Sequence, residues 1–531
     1  MRSLARAIFF LLVSAVYAQQ VVEVKAKKNQ SDTQRETEAV SMQSSAQSFF
    51  GSATIAEILQ KESGIQIRRA GPNGTYSNIT LRASTPQQVN VYYNGMLIND
   101  PNGGGVNLED FPEEFFSSAL IFKDSVPVEY VSENLAGAID LKPRAKKNGY
   151  FFYADSLESL GSGIFFSKEK VTAMASWRAS RNRYLYLDRG GTVFFNQSDD
   201  TLKLRENEDF FRGNVFIHGQ YKMKDTQGKT ILFYTGKNRG LPGTESLPTK
   251  KTRLETSKLL FANRLSGGLG NKYYWHLQNG GYWSQNTLRD PQKELAIGFE
   301  AQTRDLLRSQ NTFLVGGIFP TVSWQLPIHF GYAKMMREKK FLADRAEITP
   351  GLSLVITHIP KLYKLILEGK TLFQQEKSIY ANKTYEKTYS FFSQLSLQPL
   401  WWFVKEKNTP TFYARASTSS RLPSFTERYG DGALLLPSIH LQEEKAMSYS
   451  TGIKSTCSFL GFSFSGKLEG FYSLRDNLIL FVANSQKTMI ALNVSKAKIY
   501  GLESEFAIQH KMFTIKTSYT YTRAADESNI P

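Results

Sequence analysis

The chain has 531 residues, 37 phenylalanines, 26 tyrosines, one cysteine and a formal charge of +17. The lone Cys457 excludes an internal disulfide, and six scattered histidines (His218, His276, His329, His358, His440, His510) have no metal-ligand spacing. A charge this basic points to nucleic acid, a membrane surface or an anionic ligand. The basic residues are spread along strand-like segments rather than clustered, which disfavours nucleic acid.

The first element is a targeting signal over residues 1–18. Arg2 and Arg6 precede an apolar run from Ala7 to Val16, and Val16-Tyr17-Ala18 offers small residues before a cleavage point. The run is shorter than the ~20 residues of a spanning helix, so the chain is expected to be exported, and export further disfavours nucleic acid.

Residues 19–48 form a leader. The β-prone pentad Val21, Val22, Glu23, Val24, Lys25 precedes a polar tract with few large apolar residues. Such a tract is expected to lack fixed structure. The pentad suits strand addition to a partner's sheet edge, with a frayed terminus as the alternative.

Residues 49–145 read as a small mixed α+β domain. Thr54 can cap a helix with Ile55, Ile58 and Leu59 on one face, stopped by Gly64. The segments "GIQIRR" and "NITLRA" are short strands. Next come the strand Val89 to Tyr93, a two-residue Asn94-Gly95 turn, and the strand Met96 to Ile98. A glycine loop, the strand "ALIFKD" and a last strand after Ala136-Gly137-Ala138 complete the domain.

From residue 146 to 531 the pattern alternates by two. In "GFSFSGKLEGFYS", Phe462, Phe464, Leu468 and Tyr472 oppose Ser463, Ser465, Lys467 and Glu469. In "IKTSYTYT", Ile515, Thr517, Tyr519 and Tyr521 oppose Lys516, Ser518, Thr520 and Thr522. About 17 or 18 such runs occur, many with aromatic ends. That number exceeds one sandwich, no blade-length repeat marks a propeller, and helical signals are nearly absent. A mainly β fold follows: a transmembrane antiparallel β-barrel preceded by the small domain. Cys457 sits in one such strand and is expected to be a packed side chain. The chain ends in "YTRAADESNIP", loop-like, without a terminal aromatic strand, so the barrel is expected to lack its last strands and leave open edges.

These features together resemble the TonB-dependent outer-membrane receptors, in which a plug domain sits inside a 22-stranded barrel. "TIAEILQKESGIQIR" looks like the first plug helix and strand. "QVNVYYNGMLIND" looks like the central plug hairpin, and "EYVSENLAGAIDLKPR", with Tyr130, Gly137 and Ile139, like the closing plug motif. "SSRLPSFTERYG" is similar to an Arg-x-Pro-Ser-x-x-Glu segment through Arg421, Pro423, Ser424 and Glu427. "LQEEKAMSYSTGIK" and "NVSKAKIYGLESEF" match two later barrel strands, the second through Asn493, Lys496, Gly501 and Glu503.

The resemblance implies a monomer in the outer membrane of a Gram-negative-type bacterium, in contact with its lipid. Val21 to Lys25 would be the TonB box, which pairs with the periplasmic energy-coupling protein. Apical plug loops, Gly71 to Ser77 and Asn99 to Val106, would face the outer vestibule. Asn73, Thr75, Tyr76, Asn99, Asp100 and Asn102 would be candidate ligand contacts. The implied cargo is a ferric siderophore or cobalamin, a metal-chelate class of ligand, with no bound cofactor. The alternative is a surface binding protein, an adhesin or a degenerate truncated receptor. An enzyme is not expected, since no catalytic motif stands in a supporting context.

The chain departs from the family pattern in four places. Arg82-Ala83 stands for Arg-Gly, Lys123-Asp124-Ser125 for Arg-Gly-Pro, Ser118-Ala119-Leu120 for an Arg-x-Glu lock, and Val131 for a glycine. An acidic cluster, Asp199, Asp200, Glu206, Glu208 and Asp209, suits either calcium, as in related cobalamin receptors, or a solvated loop.

Overall fold

Thr54 opens the first domain by capping the helix Ile55–Leu59. Its hydroxyl accepts from Glu57 N at 3.3 Å, while the Glu57 carboxylate accepts from Thr54 N at 3.2 Å. Ile55, Ile58 and Leu59 are buried, as their spacing predicts. The helix ends at Leu59, earlier than expected. Gly64, at φ +71°, instead turns the chain into the strand Ile65–Arg69, which pairs with Ser77–Leu81. The computed structural model describes residues 38–41, 54–100, 104–130, 135–144, 148–189, 200–244, 247–295, 299–358, 363–380, 383–402, 410–431, 435–483, 488–510 and 513–526.

Asn94 and Gly95 both adopt positive φ, 51° and 85°, closing the hairpin between Val89–Tyr93 and Met96–Leu97. Val89–Tyr93 runs parallel to Gly137–Pro143, which pairs antiparallel with Phe116–Lys123. Gly137 has φ +133°, and a Cβ there would lie 2.2 Å from the Phe122 carbonyl, so this crossing requires glycine. The outer edge of the sheet corrects the reading of the leader. Glu38–Ser41 pairs with Ser118 to Ile121, so part of the stretch expected to lack structure is a strand. The edge of Phe116–Lys123 offers backbone groups that a neighbouring strand satisfies. Val21 to Lys25 lie outside the described residues.

From Gly149 onward the described residues form eighteen strands in one barrel, as many as the alternation predicts. One of them, Leu435–Leu436, has two residues and pairs parallel with Met489 and Ile490. At one end the connections are tight, such as Lys224-Asp225 and Leu460-Gly461. At the other they are long, spanning 181–209, 241–252 and 422–443. Short turns at one rim and long loops at the other are typical of outer-membrane barrels. Among the described residues no helix is long and apolar enough to cross a membrane.

The two faces of the wall divide as the sequence predicts. Leu468, Tyr472, Ile515, Tyr519 and Tyr521 are exposed on the outside, whereas Lys467, Glu469, Lys516 and Thr520 bond to inner-wall or plug groups. Aromatic rings gather at both rims, with Tyr273, Phe319 and Trp324 at the tight-turn end and Trp177 stacked on Phe211 at the other. Cys457 corrects an expectation: it is exposed, because its strand position places it on the outward face with Tyr449 and Ile453. Thr514–Asp526 pairs with Met489–Gln509, and Gly149–Asp155 with Ser159–Lys168. Tyr150, on Gly149–Asp155, is 87% exposed.

Candidate functional site

The small domain fills the barrel lumen and meets the wall in two chemically different ways. On one side the contact is ionic. Arg82, buried, lies between two carboxylates of the wall: Nε donates to Glu503 at 2.8 Å and Nη2 to Glu469 at 2.5 Å. Its Nη1 bonds Asp124 of the plug, and its guanidinium sits 4.2 Å from the Phe471 ring centroid. Lys123 reaches Glu503 at 2.7 Å and Ser63 at 3.1 Å. Nearby, Gly64 N donates to Thr520 Oγ1 at 2.9 Å, and Ser63 bonds Glu505. Two of the four departures from the family pattern keep this geometry. Ala83 and Asp124, standing where glycine is usual, keep the left-handed backbone at φ 56° and 63°, and Lys123 supplies the second cation.

The opposite side is aromatic. Phe111 stacks on Phe233 at 5.4 Å, Phe115 on Phe216 at 5.3 Å, and Tyr93 meets both barrel rings. Asp110 lies between the ammonium groups of Lys237 and Lys258, the latter at 2.6 Å. Burial alone would raise the Asp110 carboxyl. The two lysines outweigh that penalty and hold it well below the usual carboxylate range.

Between these sides, wall donors bind plug carbonyls. Arg415 donates to Lys123 O at 2.8 Å, Arg308 to Asn99 O at 2.6 Å, and His329 Nε2 contacts Val128 O at 2.9 Å. Water can replace bonds of this kind, so the contact is one that can be hydrated.

A cavity of about 80 Å³ is lined by Asn90, Asn99 and Asp100 of the plug and by Arg308, Gln310 and Glu347 of the wall. Several of the candidate ligand-contact residues make bonds within the plug or to the wall. Asn99 is buried, accepting from Val91 N at 2.6 Å and donating to Val89 O and Gly104 O. Thr75 is buried and donates to Pro72 O at 2.6 Å. Asn73 donates to Asp155 at 3.4 Å, and its carbonyl accepts from Asn182. Tyr76 is 38% exposed, Asp100 borders the cavity, and Asn102 lies outside the described residues.

The acidic cluster is drawn into other contacts. Glu208 is taken by Arg205 and Tyr184, and Asp209 by a two-pronged contact with Arg253 at 2.9 and 3.1 Å. Glu206 is exposed, Asp200 half-buried, and Asp199 outside the described residues. Among the described residues no group of three or more acidic, His or Cys side chains could hold a metal.

Sequence reasoning missed the ionic site, although a signal existed. Glu469 and Glu503 are direct cross-strand partners on the inner face. Like charges placed opposite each other destabilise a sheet unless a cation comes between them. The Arg421 segment does what its motif suggests: Ser424 caps the helix Phe425–Tyr429 with Glu427, and Arg421 forks onto Glu427 at 3.0 Å and reaches Glu444 at 2.5 Å.

Comparison with known proteins follows the same division. Residues 29–138 match the family model described as TonB-dependent Receptor Plug Domain, and residues 176–531 match TonB dependent receptor-like, beta-barrel. A search of curated proteins returns no match. Among solved structures, the copper transporter OprC is 12% identical with a TM-score of 0.70, covering 90% of this chain and 77% of its own. The siderophore receptor PirA from Acinetobacter baumannii is 11% identical with a TM-score of 0.68, covering 95% and 82%. The FrpB iron transporter from Neisseria meningitidis (F3-3 variant) is 13% identical with a TM-score of 0.68, covering 93% and 81%. At such identities these likenesses describe the fold, whereas the family models span most of the chain: the protein belongs to the TonB-dependent receptors.

Proposed function

We propose that the protein resides in the outer membrane and imports a scarce, bulky, anionic metal chelate or a cobalamin-like ligand by energy-coupled movement of its plug. Val21 to Lys25 would add as a strand to the periplasmic coupling protein, and a pull on that segment would be transmitted through the leader to the N-terminal part of the plug. The observation that carries this reading is the setting of Arg82 between Glu469 and Glu503. An ionic contact of this kind, bordered by bonds that water can replace, opens under load more readily than a packed aromatic face. Three supports bear on the cargo: the +17 charge, Arg308 and Asp100 bordering the apical cavity, and structural neighbours named for copper, iron and siderophores. Tyr76 and the backbone of the apical loops are the contacts we assign to it.

Cells carrying the protein, with and without deletion of Val21–Lys25, test the proposal through uptake of labelled ferric siderophores and cobalamin. Uptake that disappears on deletion while surface binding persists is the expected result. Uptake that survives deletion overturns energised import, and binding without uptake by the intact protein favours a surface binder.

A further inference from the structure

The connection 181–209, on the rim of long loops, carries a hairpin of Leu185–Asp188 and Thr201–Leu204 that no other strand joins among the described residues. Its root is fixed: buried Asn182 donates to Asn73 O at 2.8 Å and to Glu208 O at 2.9 Å. One face is satisfied within the hairpin, where Lys203 bonds Asp188 at 2.5 Å and Arg205 lies 5.2 Å from the Tyr186 ring centroid. The other face is apolar and bare. Leu185 faces Leu204, Leu187 faces Leu202, and all four are between 45% and 69% exposed. A two-stranded hairpin is marginal alone and gains from a cover on its apolar face.

The charges around the leucines select the cover. Alternation puts Arg183 and Arg189, both exposed, on the leucine face at either end of the first strand. Asp200 and Glu206 hold the corresponding places on the second. Arg205 N donates to Tyr184 O at 2.9 Å, so the register continues and brings Arg183 opposite Glu206 and Arg189 opposite Asp200. None of these four makes an ion pair among the described residues. The face therefore reads Arg, Leu, Leu, Arg along one strand and Asp, Leu, Leu, Glu along the other.

Such a face is complementary to itself. A second copy turned by half a revolution about an axis along the strands lays its basic strand over the acidic strand of the first. Arg183 then meets Glu206 and Arg189 meets Asp200, each twice, while Leu185 covers Leu204 and Leu187 covers Leu202. A half-turn about an axis across the strands would instead set Arg183 over Arg189 and Asp200 over Glu206, which like-charge repulsion opposes. The favoured axis leaves both hairpin roots at the same end, so the two barrels stand on the same side.

We propose that two copies of this chain pair through the leucine face of this hairpin, side by side in one membrane, in the isologous manner of two-fold dimers. This departs from the monomer that the family resemblance implies. The patch is smaller than a standard stable interface, and confinement to one membrane supplies the effective concentration that a weak contact needs. The inference rests on the outer-membrane reading and is independent of the cargo.

Two differently tagged full chains, co-expressed in a Cys457→Ser background, test it with a short thiol crosslinker. Leu185→Cys in one chain and Leu204→Cys in the other should give mixed dimers at several times the yield of Leu185→Cys with Leu187→Cys, the pair that the other axis would bring together. With the first cysteine pair in place, Arg183→Glu in both chains, or Glu206→Arg in both, should cut the yield severalfold. Arg183→Glu in one chain with Glu206→Arg in the other should restore it, because each reversed charge then meets its opposite. Equal yields from the two cysteine pairs, or reversal without restoration, overturns the proposal. So does crosslinking that occurs only between chains made in separate cells. A polarity-sensitive dye on Leu187→Cys, in nanodiscs holding one copy, should report water; a lipid-like emission means that the membrane covers the face, and overturns it too. Heat-modifiable gel migration reports whether each variant has folded, and should the charge variants not fold, the two cysteine yields decide. Fractionation of the same cells checks the outer-membrane reading separately.

Discussion

The two sides of the plug seat against the same barrel by opposite means. The side facing strands 210–262 is apolar, with Phe111, Phe115 and Tyr93 against Phe216 and Phe233, sealed by Asp110 between two lysines. The side facing strands 462–526 is polar: Arg82 and Lys123 of the plug meet Glu469 and Glu503 of the wall, and Gly64 meets Thr520. Aromatic pairs add roughly 0.5–1.5 kcal/mol each beyond burial and lose it all on separation. Buried ion pairs contribute little net stability when intact but are costly when half-broken. The difference teaches that the polar side is suited to opening as a unit with water entering, while the aromatic side is suited to holding. Within the N-terminal part of the plug, Ser63, Gly64 and Arg82 lie on the polar side, whereas Asn73 bonds Asp155 and Gly74 lies against Phe210.

Several measurements would break or sharpen this contrast. The largest effect is expected from deleting Val21–Lys25, which should abolish uptake without disturbing either seat. Arg82→Ala strands Glu469, Glu503 and Asp124 without their shared cation. It should cost roughly 3–5 kcal/mol of plug seating, read by urea-induced release of the plug. Phe216→Ala should cost a similar amount, roughly 3–5 kcal/mol, by cavity formation on the other side. The contrast predicts that Phe216→Ala makes cells permeable to bulky antibiotics, because it frees the anchor.

Asn99→Ala leaves Val91 N and two carbonyls without their partner. It should destabilise the apical loop by about 1–3 kcal/mol, seen as faster hydrogen exchange there. Acid offers a milder probe. Because the folded pKa of Asp110 is lowered, its contribution is present above the ordinary carboxylate value near 4 and is lost only as pH falls through the lowered one. The aromatic side should therefore stay seated at about pH 4, as checked by intrinsic fluorescence. The smallest effect is Ala83→Gly, which relieves a left-handed alanine and should stabilise by about 1 kcal/mol in a melt of the purified protein.

Local grammar was legible in the sequence because it is short-range. Thr54 with Glu57, Asn94-Gly95, Gly137 and Ser424 with Glu427 each act within a few residues, and alternation placed Lys467 and Glu469 inside. Partners distant in sequence were not legible. Nothing near Arg82 announces Glu503, more than four hundred residues away, and only the facing glutamates hinted at a cation. The apical loop was ambiguous for a related reason. Asparagine in a glycine loop serves a ligand and a backbone equally well, and Asn99 proved to serve Val91, Val89 and Gly104. The strand Glu38–Ser41 was hidden because its partner edge, Ser118 to Ile121, lies far along the chain.

The most direct test tethers each side in turn. In a Cys457→Ser background, Ser63→Cys with Glu505→Cys would be bridged by a short thiol crosslinker on the polar side. Asp110→Cys with Lys258→Cys would be bridged in the same way on the aromatic side. The polar tether should stop uptake and recover it on cleavage of the linker, while the aromatic tether leaves uptake largely intact. Uptake that continues through the polar tether and stops with the aromatic one would contradict the assignment of opening and holding sides.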